Sequence, residues 1–296
     1  METLHQILSP DFLLRNSLYT SVLVGFACPL VGVFLVMRRL AFMGVALPQI
    51  SSTGIAFALS CPVWLGLNPA GYSPQTAHML AFAGSIVFSL GAILTLAFME
   101  RRGRGQLEGR LGTAYVVAGA SSILLLAQNP SAEIGLLDML KGEVIAVSNF
   151  DLVLTAATLA LVLAALGIFQ KELLLVSFDR DMAAILRKNV VFWDVLLYIL
   201  IGLTVSMAVL SVGPLISFGF LLIPALIAHL FARNMRRFTV ISSLIGGAAA
   251  FVGFYIAYTW DMPVGPTDVV FLGVFYATAW FFARLLHGGL QQSPQV

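Results

Sequence analysis

KNVVFWDVLLYILIGLTVSMAVLSVGPLISFGFLLIPALIAHLFAR, residues 188–233, carries a single charged side chain, Asp194, between its terminal Lys188 and Arg233. About twenty apolar residues in a helix cross the ~30 Å hydrocarbon core of a bilayer. This run is about twice that length and must double back. Ser211-Val212-Gly213-Pro214 is where it does so, because Gly supplies a tight turn and Pro interrupts the incoming helix. In lipid the unpaired backbone groups of such a turn need an aqueous end or cover from neighbouring helices, and the turn is placed at the outer face.

The same reading extended in both directions divides the chain into nine apolar stretches, roughly 17–37, 43–66, 77–99, 111–128, 151–170, 193–210, 214–232, 239–259 and 268–283. The cations sort between the gaps. Arg38 and Arg39, then Arg101, Arg102, Arg104 and Arg110, then Lys171, Arg180, Arg187 and Lys188, then Arg233, Arg236 and Arg237, and Arg284 in the tail all fall on one side. Those are 14 of the 16 Lys and Arg residues; Arg15 and Lys141 lie opposite. The positive-inside bias then puts the amino terminus outside and the carboxyl terminus in the cytoplasm. The expected fold is all-α: one polytopic membrane helix bundle spanning residues 1–296 as a single domain, with about nine transmembrane helices, in the inner or plasma membrane.

Composition agrees. The chain is 59% hydrophobic and 10% charged, with a mean hydropathy of +0.96, far more apolar than a soluble domain of this size. Its net charge of +2 is spread over the inner loops, which reports orientation and excludes a nucleic-acid-binding surface. Cys28 and Cys61 lie within apolar spans and form no metal-binding or disulfide pattern. Residues 1–15 lack a basic leader and Arg38-Arg39 follows the first span, so that span reads as a retained anchor.

Two segments outside the spans have helical patterning. Residues 133–147 mix Glu133, Lys141 and Glu143 with an apolar stripe of Leu136, Leu137, Leu140, Val144 and Val147, which reads as a surface helix on the outer side. In residues 177–189, Ser177 or Asp179 can cap a helix start, Asp179 and Asp181 complement its positive end, and Arg187 and Lys188 its negative end. Phe178, Met182, Ile185 and Leu186 share one face. That face either rests on the membrane interface or docks into a groove on a soluble partner.

No phosphate-binding loop of the form G-x-x-x-x-G-K-S/T occurs, so the chain does not hydrolyse a nucleotide. Ion-driven carriers keep ionisable groups at mid-membrane, whereas Asp194, Asp268 and His229 fall near span ends. An intramembrane enzyme would need an embedded Ser/His, Asp/Asp or His/Glu constellation, and none is evident. The chain is therefore read as a transport subunit without a cofactor of its own, worked by energy from another polypeptide.

Ordered motifs along nearly the whole chain sharpen this. They are Gly32-Val33-Phe34-Leu35-Val36-Met37-Arg38-Arg39 with Met43-Gly44; Lys141-Gly142-Glu143-Val144-Ile145-Ala146-Val147-Ser148 with Asp151-Leu152; Lys171-Glu172-Leu173 leading to Ser177-Phe178-Asp179; Val212-Gly213-Pro214-Leu215; Ile223-Pro224-Ala225; and Pro263-Val264-Gly265-Pro266-Thr267. In order and spacing they resemble the membrane permease subunits of the ABC-3 type metal importers, the family of zinc, manganese and iron uptake permeases. The resemblance implies a permease driven by a separate ABC ATPase that consumes ATP, fed by an extracytoplasmic solute-binding protein, and paired with a second permease copy as a homodimer. It also implies that Phe178, Asp179, Met182, Ile185 and Leu186 form the coupling helix that contacts the ATPase.

In the second span, Leu47-Pro48-Gln49-Ile50-Ser51-Ser52-Thr53-Gly54 interrupts an apolar helix. Val45, Gln49, Ser52 and Ala56 share a face with Thr53 beside it, and Pro48 removes the hydrogen bond to residue 44 and can free that carbonyl. Pro48, Gln49, Ser52 and Thr53 are the candidate lining of the path; alternatively Ser and Thr bond to their own helix and pack against a neighbour. The family usually has Asp where this chain has Val45 and His where it has Gln49, a spacing that lets both side chains reach one cation. This departure opens an alternative cargo, an organic or chelated-metal substrate on the same scaffold. Other candidate metal ligands are His229, otherwise a helix-end group, and Asp268, otherwise a helix cap; Asp261 and His78 lie at the outer face.

Overall fold

The computed structural model describes residues 12, 14–65, 74–100, 107–127 and 147–287. In chain order its helices are α1 (Arg15–Met37), α2 (Ala41–Trp64), α3 (Pro74–Glu100), α4 (Leu107–Ala127), α5 (Asn149–Ile168), α6 (Gln170–Phe178), α7 (Arg180–Ile185), α8 (Val190–Val212), α9 (Pro214–Phe231), α10 (Met235–Trp260) and α11 (Val264–His287). No strand occurs among the described residues. All except α6 and α7 are long and apolar enough to cross a membrane, giving nine candidate spans among the described residues. They coincide with the nine apolar stretches, so the expected all-helical, multi-span architecture holds. The surface helix expected at 133–147 lies outside the described residues, apart from Val147.

The spans divide into a centre and a rim. In α1, α2 and α8, 67%, 67% and 72% of the apolar window is buried, against 22% in each of α3, α4, α5 and α11. A helix that is apolar all round and buried all round is a core helix, and α8 is one, with Leu197, Tyr198, Ile201, Val205, Ala208, Val209 and Val212 all buried. The rim helices keep large exposed apolar side chains, among them Val116, Val117, Ile123 and Leu124 on α4 and Phe281, Phe282 and Leu285 on α11.

Since lipid tails are as apolar as the helices themselves, helix pairs here depend on close backbone approach. Gly25 of α1 meets Gly246 of α10, where a Cβ added to Gly25 would stand 2.7 Å from the Gly246 carbonyl oxygen. The doubling-back point is as expected. Gly213 closes α8 and opens α9 with φ 85° and ψ 166°, a region essentially reserved for glycine, and Pro214 takes the first position of α9, where its missing N–H costs nothing.

The 177–189 segment differs from the single helix expected there. Ser177 and Phe178 are the last residues of α6, Asp179 is extended (φ −144°, ψ 95°), and a short α7 follows. Of the two possible caps, Asp179 is the one used: its carboxylate accepts the Met182 N–H at 2.8 Å. Ser177 is committed elsewhere, donating to the Leu173 carbonyl at 2.6 Å. The far end of α7 closes on Arg187 in the left-handed region (φ 55°), with the Lys188 N–H reaching the Ala183 carbonyl at 3.0 Å.

Candidate translocation path and coupling surface

The polar run of the second span lies mid-way along α2, which is continuous through Pro48 and Pro62. No unwound segment accompanies Pro48, so a broken-helix site is not built here. The hydroxyls of this run knit α2 to its neighbours. Ser51 Oγ lies 2.6 Å from Ser85 Oγ of α3, and Ser85 in turn donates to the Ser206 carbonyl of α8 at 3.3 Å. Thr53 Oγ1 donates both to the Gln49 carbonyl of its own helix at 3.0 Å and to the Ala118 carbonyl of α4 at 2.7 Å. Pro48, Ser52 and Thr53 are buried, whereas Val45 and Gln49 are half-buried.

Among the described residues no hydrogen bond is made by the side chain of Ser52 or of Gln49, and Gln49 is the more exposed of the two. Its amide lies over Gly119 of α4, where a Cβ would come within 3.3 Å of Nε2. Among the described residues no three His, Cys, Asp or Glu side chains gather into a possible metal cage. The donors on this face are neutral oxygens.

The remaining candidates are not brought together. His229 is exposed in the last turn of α9, its ring 5.5 Å from that of Phe238. Asp268 lies inside α11, past the helix start at Val264, and neither carboxylate oxygen has a hydrogen-bond partner. It caps nothing. It is fully buried, pressed against Gly253 of α10, and the Ser21 hydroxyl of α1 faces it without reaching hydrogen-bonding geometry. His78 lies 3.1 Å from Asp151, whose carboxylate also completes a capping box with Ser148 at the start of α5. Asp261 holds the left-handed cap of α10 (φ 53°).

The two short helices α6 and α7 present a sharp division. Leu173, Val176 and Ala183 are buried against the bundle, while Phe178, Met182, Ile185 and Leu186 are 65%, 48%, 75% and 55% exposed. The greasy face read from the sequence is left uncovered by the other described residues.

Residues 11–283 match the sequence pattern of the ABC 3 transport family. The chain belongs to that family. Among its relatives is the manganese import system permease protein ScaB of Streptococcus gordonii, 28% identical over 270 residues that cover 91% of each chain. Another is the manganese transport system membrane protein MntC of Listeria monocytogenes, 27% identical over 91% of this chain and 90% of that one. Among solved structures, PsaBC from Streptococcus pneumoniae in complex with Fab superposes with a TM-score of 0.79 at 27% identity, covering 95% of both chains. An inward-facing putative metal-chelate type ABC transporter matches in fold, with a TM-score of 0.73 at 17% identity over 95% of this chain and 90% of that chain.

For an ABC 3 family member, the most conspicuous group that the sequence did not assemble is an ionic cluster where the end of α1 meets the start of α8. Arg38 Nη1 donates to Asp194 Oδ1 at 2.7 Å, and the two side chains are only 5% and 7% exposed. Arg38 Nε donates to Ser177 Oγ at 3.0 Å, and Arg180 Nη2 lies 3.4 Å from Asp194 Oδ2. The Arg38 guanidinium also lies 5.7 Å from the centre of the Tyr198 ring. One signal was available: Asp194 is the lone charge in the 188–233 run, and a charge in an apolar span calls for a partner.

Proposed function

We propose that this chain is the membrane permease subunit of an ATP-binding cassette importer for a divalent transition metal, with manganese the favoured cargo. Two copies face each other across the path, an ATPase subunit supplies energy from the cytoplasm, and a solute-binding protein delivers the ion to the outer loops of the cell membrane. The observation that carries this reading is the uncovered face of Phe178, Met182, Ile185 and Leu186 on a segment whose opposite face is packed into the bundle. Met182 and Ile185 on α7, with Leu186 at its end and Phe178 at the end of α6, offer the cytoplasm a compact set of apolar anchors of the kind that enter a groove on a soluble partner. Asp179 fixes the orientation of that face by capping α7.

The cargo follows from the donors. Gln49 offers a carbonyl oxygen and Val45 offers nothing, so an ion passing α2 meets neutral oxygen ligands and keeps part of its water. Carbonyl and water ligands suit manganese, whereas zinc prefers imidazole and thiolate. The relatives named as manganese permeases support a bare metal over an organic or chelated one. Gln49 is the lining residue, with Pro48, Ser52 and Thr53 holding the helix that presents it.

The test is copurification of the ATPase with Met182→Asp/Ile185→Asp. Two charges on the docking face should abolish association while membrane insertion is unchanged. Undiminished copurification would remove the coupling role from this face.

A further inference from the structure

We propose that the buried Arg38–Asp194 pair is a positioning device that fastens the cytoplasmic lever to two of the three central spans. Movement of α7 would then be delivered to α1 and α8 together. The inference rests on the coupling role proposed above for α7, and it concerns residues other than the apolar side chains of the docking face.

The geometry is that of a junction. Arg38 is the C-terminal cap of α1 and Asp194 lies in the second turn of α8. Between them they hold both sides of the break at Asp179: Ser177, at the end of α6, accepts from Arg38, and Arg180, at the start of α7, reaches Asp194. Four elements converge on one ion pair. Arg38 enters this site because α1 ends there, with Arg39 in the left-handed region (φ 58°) and the Leu40 N–H returning to the Leu35 carbonyl at 2.9 Å. Arg39 itself is exposed. Of the two adjacent arginines, one marks topology and the other is taken inside.

Energetics argue that this pair is more than ballast. Withdrawing two charges from water offsets most of their mutual attraction, and apolar residues of similar volume usually serve stability as well or better. Here the arrangement is also incompletely satisfied, since Arg38 Nη2 is buried without a hydrogen-bond partner. What an apolar replacement could not provide is direction. A guanidinium fork sets distance and angle to carboxylate and hydroxyl at once, so that α1, α6, α7 and α8 keep one relative placement when α7 is pushed. A further ion pair among the described residues, Lys188 to Glu172 at 3.6 Å, is partly exposed and joins only flanking segments.

The experiment separates linkage from docking and from folding. The permease–ATPase complex is reconstituted in vesicles, and Mn2+ uptake per ATP hydrolysed is measured alongside association and thermal stability. Ser177→Ala/Arg180→Met cuts both ties to the lever and leaves the Arg38–Asp194 pair and the apolar docking face in place. We expect association and ATP hydrolysis to persist and uptake per ATP to fall about tenfold, a coupling loss of ordinary allosteric size. Restoring Ser177 and placing Lys at 180 should recover much of the ratio. Arg38→Met/Asp194→Leu, which removes the pair and fills its volume, should show the same fall. If it does not fold, the first variant decides alone. A ratio within about twofold of wild type in Ser177→Ala/Arg180→Met overturns the proposal, as does a loss of thermal stability with the ratio unmoved, which would mark a purely structural role. Failure of the docking reading is a different result: there the Met182→Asp/Ile185→Asp complex forms normally.

Discussion

Thr53 and Gln49 stand one turn apart on α2, and the same sequence logic nominated both, yet their side chains have opposite fates. Thr53 spends its hydroxyl on the Gln49 and Ala118 carbonyls and is buried, while the Gln49 amide is half-exposed and unbonded. The polar character of this run was legible in the sequence; which residues bond to a neighbouring helix and which do not was not, because that depends on where α4 lies. The two positions should therefore separate on substitution. Thr53→Ala is expected to lower thermal stability by about 1 kcal/mol, the usual net value of a hydrogen bond, with uptake per folded molecule nearly unchanged. Gln49→Ala should leave stability intact and reduce Mn2+ uptake about tenfold, as loss of a ~1.4 kcal/mol ligand contact would. Melting curves and vesicle uptake on the two variants check this, and the reverse assignment of effects would take Gln49 off the path. Gly213 is the contrasting residue, legible outright, since a doubling-back point flanked by Pro214 calls for glycine and its φ of 85° confirms the need.

At the scale of elements, the nine spans were readable because each is one uninterrupted apolar run, and a bilayer admits few other ways to bury such a run with its backbone satisfied. Their ends were read slightly too far inward. Helices α5, α8 and α10 begin at Asn149, Val190 and Met235, ahead of the corresponding apolar stretches, because Ser148, Asn189 and Asn234 cap them. The split of the 177–189 segment was not legible for a longer-range reason. Ser177 is bonded to Arg38, 139 positions away in sequence, so the choice of Asp179 as the cap of α7 depends on tertiary structure. A six-residue helix has little stability of its own, which makes that cap decisive. Asp179→Ala removes the 2.8 Å bond to the Met182 N–H and should cost about 1 kcal/mol locally. We expect amide hydrogen exchange to rise at Met182 and Ala183 while the α8 core stays protected. Unchanged exchange in α7 would show that packing alone holds the helix.

Across the whole molecule, the charged side chains of the described spans lie toward helix ends, and one of them is conspicuous. Asp194 is paired at an inner end, but Asp268 is buried among α1, α10 and α11 with both oxygens unpartnered. The sequence placed it near a span end as a cap or an outer cation site; the close approach of α10 at Gly253, invisible in one dimension, puts it inside. If this chain were a carrier driven by an ion gradient, Asp268 is the group on which the coupling ion would have to depend, since buried ionisable side chains in membranes otherwise serve such pathways. An importer worked through α7 makes no such demand. Asp268→Asn keeps the side-chain shape and removes the carboxyl, so it tests the energy source of the entire assembly. We expect Mn2+ uptake by the reconstituted complex to continue in this variant, to be indifferent to ionophores that collapse ion gradients, and to stop when the ATPase partner is hydrolysis-deficient. Uptake that is lost both with Asp268→Asn and with ionophore, while tolerating the inactive ATPase, would move the driving force into this polypeptide and leave the apolar face of α7 without a purpose.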